Sequence, residues 1–268
     1  MNEQAQALND EGRALWDQKA EFWDALHGDE GNRFHRTLVS PAVEGLLTLQ
    51  AGERVLDIAC GSGVMARRLA ELGGRVTAVD FSAALIERAQ MRGQRGGEPI
   101  QYGVADATDE DALVAWGEGQ YDAVVSTMAF MDMPVLMPLY RAVRRLLKGD
   151  GRFVFATAHP AFNSSNPIFG MEQADHNGEL VVTRTLKFAG YLDIPPVKAV
   201  GARGEPAPHY YYHRPLHELL GEAFAAGLVL DGMVEPTFGP EHADPTRPLT
   251  WYNFHQFPSV MAARLRCP

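Results

Sequence analysis

The sequence predicts an α/β fold built on a doubly wound parallel sheet, and two observations predict it. Between residues 54 and 158, short apolar runs alternate with amphipathic helical segments, and a glycine turn follows the first run. The apolar runs are "RVLDIA", "RVTAVD", "IQYGVAD", "YDAVVSTM" and "RFVFATA", separated by segments such as "VMARRLAEL" and "AALIERAQM". Strands that are joined by helices pair in parallel and carry helices on both faces of the sheet.

Composition limits the class of protein. The 268 residues are 46% hydrophobic, which is enough to bury one large core or a core with an insertion. The formal net charge of −10 argues against a general polyanion binder, because affinity for nucleic acids or anionic membranes comes mainly from clustered Lys and Arg. We therefore expect neither a nucleic acid nor a membrane as partner.

The cysteines and the N-terminal segment indicate the compartment. Cys60 and Cys267 are far apart in sequence, so neither a disulfide framework nor a zinc site is expected, and no other metal site is predicted. The segment "MNEQAQALNDEGRALWDQKAEFW" mixes charges with apolar residues, unlike a signal peptide, and no apolar run reaches membrane-spanning length. These features predict a cytoplasmic protein.

Helical patterns also precede and follow the strand-rich region. A leading helix is predicted to end near His27-Gly28-Asp29, and a second helix is predicted to begin at the Ser40-Pro41 signal and to end before Ala51-Gly52. Near the other end, "RPLHELLGEAFAAGL" predicts a helix with Pro215 in its first turn. The runs "VLDGMVEP" and "SVMAARLRC" predict two further strands.

The regular alternation stops at His159. Residues 159–209 contain several prolines, glycines and asparagines around one possible strand or hairpin, "ELVVTRTLKFAGYL", and are too long for an ordinary connection. We interpret residues 1–268 as a single domain with four parts. These are a helical cap (1–50), a ligand-binding half (51–158), an insertion that covers the substrate (159–209) and a C-terminal helix with strands (210–268).

The glycine turn Gly61-Ser62-Gly63 lies where the first strand meets its helix, which is where open α/β sheets bind ligands. Asp80 ends the second strand, where a carboxylate accepts ribose hydroxyls. Asp106 follows the third strand and is placed to accept from the exocyclic amine of a base. The alternatives are a helix cap for Asp80 and a turn-forming role for Asp106.

Two ligands fit this pattern. Residues 61–66 satisfy G-x-G-x-x-G/A, which keeps an NAD(P)-dependent oxidoreductase as an alternative. Against that alternative, Asp57 would lie near a pyrophosphate and repel it, whereas a cationic or zwitterionic ligand would gain from an acid there.

Taken together, "VLDIACGSG", "VTAVDFS", "VADAT" and "YDAVVSTMAFMDM" resemble the class I S-adenosylmethionine-dependent methyltransferases, in particular the branch that acts on small molecules. The resemblance covers residues 54–158 and extends loosely to the last helix and strands. It implies a Rossmann-like seven-stranded sheet in the order 3-2-1-4-5-7-6 with the last strand antiparallel. It also implies S-adenosyl-L-methionine as cofactor and S-adenosyl-L-homocysteine as product.

The same resemblance assigns roles at the cofactor site. Asp57 and the backbone of Gly61 and Gly63 would contact the methionine part, with Ala59 standing where many members have glycine. The remaining assignments are Asp80 for the ribose hydroxyls, Phe81 and Ser82 for the adenine face, Asp106 and Ala107 for the adenine amine, and Ser126 and Met128 beside the transferring methyl group. No Asn-Pro-Pro-Tyr signature follows the fourth strand, which argues further against a nucleic acid acceptor.

The acceptor side is less defined by the sequence. Methyl transfer is an in-line displacement that depends mainly on positioning, and a base helps only when the acceptor must lose a proton. Asp132 and His159 are the predicted catalytic residues. The alternatives are a helix cap before Pro134 for Asp132 and packing against Pro160 for His159.

Aromatic and cationic residues outside the strands are candidates for substrate binding: Tyr211, His213, Arg214 and Trp251. The alternative is that the aromatic residues pack at the edge of the core and that Arg214 is solvated. Arg33 or Arg36 could reach the cofactor carboxylate. The leading helix, the insertion and the tail loop "LTWYNFHQFP" (residues 249–258) supply enough chain to enclose a pocket. An enclosed pocket predicts a small-molecule acceptor that is methylated on O, N, S or C. The protein is expected to be a monomer or homodimer. A non-catalytic S-adenosylmethionine-binding protein is the other alternative.

Overall fold

The computed structural model describes residues 2–93 and 96–268. Its central feature is a seven-stranded sheet in the order β10-β11-β5-β4-β1-β2-β3. The strands are β1 (Arg54–Ile58), β2 (Arg75–Asp80), β3 (Gln101–Val104), β4 (Tyr121–Thr127), β5 (Leu147–Ala158), β10 (Val229–Val234) and β11 (Val260–Arg266). Strands β1 to β5 pair in parallel, and β11 runs antiparallel to both β5 and β10. The predicted strand order and the antiparallel last strand are confirmed.

Helices cover both faces of the sheet and divide the core into two layers. One layer packs under α2 (Ser40–Leu47), α3 (Val64–Glu71) and α4 (Ala83–Arg92), and the other under α5 (Glu110–Val114), α6 (Met137–Leu146) and α7 (Leu216–Ala225). Phe130 and Phe155 stack in the second layer with ring centroids 4.7 Å apart. Residues 55–58 of β1 and 123–126 of β4 are all buried, so neither strand shows the alternation of buried and exposed residues that is typical of a strand with one solvated face.

The leading helix α1 (Glu3–His27) lies across the carboxyl ends of β2 and β3. Asn2 caps it by accepting a hydrogen bond from the Ala5 N–H at 2.8 Å. Farther along, the Asn9 amide donates to Asp106 at 2.6 Å, and the Ser82 hydroxyl donates to Asp17 at 2.6 Å. The predicted helix therefore covers the ligand-binding edge of the sheet. No helix within residues 2–93 and 96–268 is both long and apolar enough to cross a membrane.

The second helix, α2, begins at Ser40 as predicted, but Ser40 does not cap it. The chain is already helical from His35, in a π-helical turn over His35–Val39, and Ser40 has helical dihedral angles. The Ser40 N–H donates to the His35 carbonyl five residues back, so Ser40 continues a helix and caps none. The wider π-helical turn lies directly before Pro41, which has no N–H to donate.

The insertion forms a hairpin that begins earlier than predicted. Its strands are β6 (Ile168–His176) and β7 (Glu179–Lys187), so the run "ELVVTRTLKFAGYL" supplies only the second of them. Asn177 and Gly178 connect the two strands, both with positive φ, as a two-residue hairpin turn requires. A shorter pair, β8 (Val197–Ala199) and β9 (His209–Tyr211), then leads back toward α7.

Two non-glycine residues at strand ends adopt the left-handed conformation. Ala59, directly after β1, has φ +58°, and Met128, directly after β4, has φ +53°. This conformation costs an L-residue roughly 1 to 2 kcal/mol because its Cβ crowds the backbone. Both residues follow adjacent strands at the same edge of the sheet, which is where backbone strain commonly accompanies function.

The strain at Ala59 predicts that Ala59→Gly stabilises the protein by about 1 kcal/mol, because glycine adopts this conformation without a steric penalty. Urea unfolding checks the prediction. The matched control is Ala66→Gly within α3, which should lose about 1 kcal/mol. An Ala59→Gly variant less stable than the wild type would contradict the argument.

Candidate active site

A cavity of about 710 Å³ opens at the carboxyl ends of the parallel strands. Its floor is formed by residues that follow β1 to β5, and its walls by α1, the insertion and the tail loop. Residues of these groups that line it include Ala59, Gly61, Asp80, Phe81, Asp106, Ala107, Met128, Asp132, Asn9, Trp16, Trp23, His209, Tyr211 and Trp251. Segments that are distant in sequence thus enclose one space.

The two glycines of the turn serve different purposes. Gly61 has φ +55°, and a Cβ built on it would meet nothing within 4 Å. Gly63 has φ +80°, but a Cβ there would lie 2.6 Å from the Tyr102 hydroxyl. Gly63 does not line the cavity. Gly61 therefore leaves bare backbone for a ligand, whereas Gly63 is required by packing.

Asp80 holds the glycine turn in place. One carboxylate oxygen accepts from the Gly61 N–H at 2.8 Å, and the other accepts from the Ser82 N–H at 2.9 Å. Burial raises the pKa of Asp80 to about 6, against the lowering effect of these hydrogen bonds. Phe81 lines the cavity, whereas Ser82 is buried outside it and caps α4 through the Leu85 N–H. The structure thus does not bring Ser82 to the cavity.

Asp57 is fully buried beneath the turn. Neither of its carboxylate oxygens has a hydrogen-bond partner of ordinary geometry among the described residues. Burial and the nearby Asp80 charge raise its pKa to about 8. A buried, uncompensated acid favours a positively charged group nearby and disfavours a phosphate, which fits a cationic or zwitterionic ligand.

Asp106 combines the two predicted roles. One of its oxygens accepts from the Thr108 N–H at 2.8 Å and the Thr108 hydroxyl at 2.6 Å, which is a local turn. The other accepts from Asn9 of α1. Because Asp106, Ala107 and Asn9 all line the cavity, this corner offers acceptor and donor groups to a ligand.

At the end of β4, Met128 and Asp132 line the cavity, but Ser126 does not. The Ser126 side chain is buried, and its hydroxyl has no partner among the described residues. Asp132 ends a short 3₁₀ turn, Phe130–Asp132. Burial raises the pKa of Asp132 well above its ordinary value.

The structure does not bring His159 to the cavity. Its ring is buried, with Nε2 2.6 Å from a Glu235 carboxylate oxygen and Nδ1 accepting from the Ala161 N–H at 3.1 Å. Both ring nitrogens are therefore engaged in holding the loop after β5. Burial also lowers the pKa of His159.

The predicted substrate residues divide into two groups. Tyr211 and Trp251 line the cavity. His213 instead contacts the Ser164 hydroxyl and the Tyr191 carbonyl, and Arg214 donates to the carbonyls of Phe130 and Met133. His213 and Arg214 thus form hydrogen bonds that hold neighbouring loops in place, and neither residue lines the cavity.

Neither predicted loop arginine lines the cavity. Arg33 donates to the His242 carbonyl at 2.8 Å and stacks on Tyr252, and Arg36 donates to the Gly31 carbonyl. Neighbouring Asn32, Phe34 and His35 reach the cavity instead.

The sequence analysis missed a buried polar cluster beside Asp132. It consists of Lys19 from α1, Glu205 from the insertion and His209 from β9, with Trp16 and Trp23 packed around it. Lys19 looks like an ordinary charged position of a surface helix, and Glu205 lies in an irregular segment. No periodic pattern marks either residue, so only the folded chain reveals the cluster.

The strand order of the sheet, with β11 antiparallel, is that of the class I S-adenosylmethionine-dependent methyltransferase fold. Residues 56–155 match the family model described as a methyltransferase domain. The resemblance inferred from the sequence is therefore confirmed for this central part of the chain.

Curated relatives match the same region. The ubiquinone biosynthesis O-methyltransferase of Xanthomonas oryzae pv. oryzae (strain PXO99A) is 35% identical over 107 residues, which are 40% of this chain and 44% of that protein. The alignment thus spans less than half the length of that relative. The corresponding protein of Xanthomonas axonopodis pv. citri (strain 306) is 34% identical over the same shares.

Solved structures share the fold over most of the chain. An S-adenosylmethionine-dependent methyltransferase from Mesorhizobium loti superposes with a TM-score of 0.61 at 22% identity, covering 84% of this chain and 96% of that one. The CcbJ methyltransferase from Streptomyces caelestis gives a TM-score of 0.60 at 20% identity, covering 96% and 98%. At these identities the likeness concerns the fold.

The raised pKa of Asp57 predicts a pH-dependent stability. Because the folded chain binds this proton more tightly than the unfolded chain, the contribution is full below about pH 4 and is lost as the pH rises toward 8. Asp57→Asn should therefore be more stable than the wild type above pH 8, by about 1 to 3 kcal/mol, and similar to it near pH 4.

Urea unfolding between pH 4 and pH 9 measures this difference. Asp111→Asn is the control, because that side chain is 93% exposed and its replacement should give no such pH dependence. Parallel stability curves for Asp57→Asn and the wild type would show that Asp57 is not the buried acid described.

Proposed function

We propose that this chain is an S-adenosylmethionine-dependent methyltransferase that methylates a small-molecule acceptor, most favourably on a hydroxyl oxygen. The observation that carries the proposal is the single enclosed cavity, which runs from the glycine turn to Asp132 and Tyr211. A cofactor and an acceptor can be held there in line, which is the main requirement of methyl transfer.

At the cofactor end, the residues present fit S-adenosylmethionine. Gly61 would take the methionine part against bare backbone above the buried acid Asp57, Asp80 would accept the ribose hydroxyls, and Asp106 with Asn9 would contact the adenine. The sulfonium supplies an electrophilic methyl group. The uncompensated Asp57 supports a cationic cofactor over a dinucleotide, whose pyrophosphate it would repel.

At the acceptor end, the walls support a small molecule. Trp16 and Trp23 come from α1, Tyr211 from β9 and Trp251 from the tail loop. These side chains surround a limited volume that is suited to a compact, partly apolar acceptor. The printed name of the Xanthomonas relatives, an O-methyltransferase, supports oxygen as the accepting atom.

Calorimetric titration with S-adenosylmethionine and S-adenosylhomocysteine tests the cofactor directly. We expect both to bind and NADH not to bind. Binding of NADH alone would favour the oxidoreductase alternative. Binding of both sulfur ligands without methyl transfer to any member of a panel of phenols, amines and thiols would favour the non-catalytic alternative.

Replacing Asp80 should weaken the cofactor site. Asp80→Ala removes the carboxylate proposed to accept the ribose hydroxyls, so S-adenosylhomocysteine should bind about 1 to 3 kcal/mol more weakly. Circular dichroism of the variant checks that it is folded, and exposed Asp111→Ala is the matched control. Unchanged affinity in a folded Asp80→Ala variant would remove Asp80 from the site.

A further inference from the structure

The buried cluster behind the acceptor end of the cavity is built around one carboxylate oxygen. Glu205 Oε1 accepts from Lys19 Nζ at 2.8 Å and from Trp23 Nε1 at 2.9 Å, and it lies 3.0 Å from His209 Nδ1. The side chains of Lys19 and Glu205 have no exposed surface. A buried ion pair of this kind is costly to desolvate and favours a fixed arrangement over a loose one.

The contact with Glu205 determines which nitrogen of His209 carries the proton. Burial alone would raise the pKa of Glu205, but the hydrogen bonds from Lys19 and Trp23 lower it below the ordinary value. The carboxylate is therefore ionised and only accepts, so Nδ1 of His209 must donate. That leaves Nε2 of the neutral ring with a free lone pair.

His209 belongs to the lining of the cavity. His209 and Asp132 both line it, and Nε2 is 3.4 Å from Asp132 Oδ1. That oxygen has no hydrogen-bond partner among the described residues. The rings of Trp16 and Tyr211 flank the imidazole, with centroids 4.9 Å and 4.5 Å away. His209 and Asp132 thus form a polar pair next to the aromatic side chains of Trp16 and Tyr211.

The charged and titratable groups that face His209 come from every element packed around it. They are Lys19 from α1, Glu205 from the insertion, Asp132 after β4 and Tyr211 on β9 itself. Burial, together with the Lys19 charge, lowers the pKa of His209 to about 4. The ring is therefore neutral and able to accept a proton throughout the neutral range.

Resting on the proposed function, we infer that His209 is the general base for a phenolic hydroxyl acceptor, and that Glu205 is a positioning residue which fixes its tautomer. The acceptor O–H bond breaks and its proton passes to His209 Nε2. The oxygen lone pair forms the new O–CH₃ bond while the C–S bond breaks, and that electron pair stays on sulfur as S-adenosylhomocysteine. The ionised carboxylate of Glu205, which accepts from Nδ1, stabilises the imidazolium.

The chemistry of the pocket favours a phenol over an aliphatic alcohol. A weakly basic imidazole assists best when the acceptor proton is itself fairly acidic, and phenols ionise near pH 10, as tyrosine does. Trp16, Tyr211 and Trp251 all line the cavity, and stacking on such side chains contributes to the binding of a planar ring.

The first test examines the tautomer without any acceptor. In the full chain saturated with S-adenosylhomocysteine, ¹⁵N chemical shifts of labelled histidine, assigned with His209→Gln, should show a neutral His209 with the proton on Nδ1 at pH 7. Glu205→Gln should shift the proton toward Nε2. A wild-type ring that is protonated on Nε2, or on both nitrogens, overturns the inference. Because Glu205→Gln leaves Lys19 unpaired, Lys19→Met with Glu205→Gln provides the same test without a buried charge.

The second test uses 4-nitrophenol, whose phenolate is yellow. Bound to the protein with S-adenosylhomocysteine, it should keep its phenolic proton to higher pH than in solution, because burial and the Glu205 carboxylate disfavour the phenolate. With S-adenosylmethionine, the colour should fade as 4-nitroanisole forms, about a hundredfold more slowly in His209→Gln. Exposed His217→Gln is the control and should behave as the wild type does.

The outcomes separate this inference from the proposed function. If S-adenosylhomocysteine does not bind the wild type, the proposed function fails. If it binds but 4-nitrophenol does not, the phenolic acceptor class is wrong. If both bind and a folded His209→Gln variant transfers the methyl group as fast as the wild type does, His209 is not the base.

Discussion

The structure depends on the burial of carboxylates at one edge of the sheet. Asp57 lies in β1 and Asp80 ends β2, whereas Asp106 and Asp132 come after β3 and β4. The pKa values of Asp57, Asp80 and Asp132 are raised, and Asp57 and Asp132 also have carboxylate oxygens without a hydrogen-bond partner among the described residues. Like charges held away from water are unfavourable unless donors or cations compensate them. Backbone N–H groups donate hydrogen bonds to Asp80 and Asp106, and the adjacent cavity has space for a cationic ligand.

The N-terminal helix provides much of this compensation. It brings Asn9 to Asp106 and Lys19 to Glu205, and its Trp16 packs against His209. One helix therefore supports both ends of the cavity. Ala59 and Met128, which have positive φ directly after β1 and β4, both line this cavity.

Much of the fold follows from local patterns. Alternating runs predicted β1 to β5 because strands buried on both faces are continuously apolar, and Pro215 marked the start of α7 because proline suits that position. Ser40-Pro41 marked the start of α2, but the π-helical turn before it was missed because no sequence pattern indicated it. The first hairpin strand was missed although Asn177-Gly178 is a strong turn signal, since the polar residues around it gave no clear alternation.

The end of the cavity at the glycine turn follows from local sequence patterns. Gly61, Asp80 and Asp106 are placed by strand ends, and parallel strands bring their carboxyl ends to one edge whatever the loops do. The opposite end of the cavity, where His209 lies, depends on tertiary contacts. Whether a histidine faces the cavity depends on contacts between segments nearly two hundred residues apart, such as Lys19 with Glu205. Long-range packing turned His159 toward Glu235 and placed His209 at the cavity, and no local pattern encodes that choice.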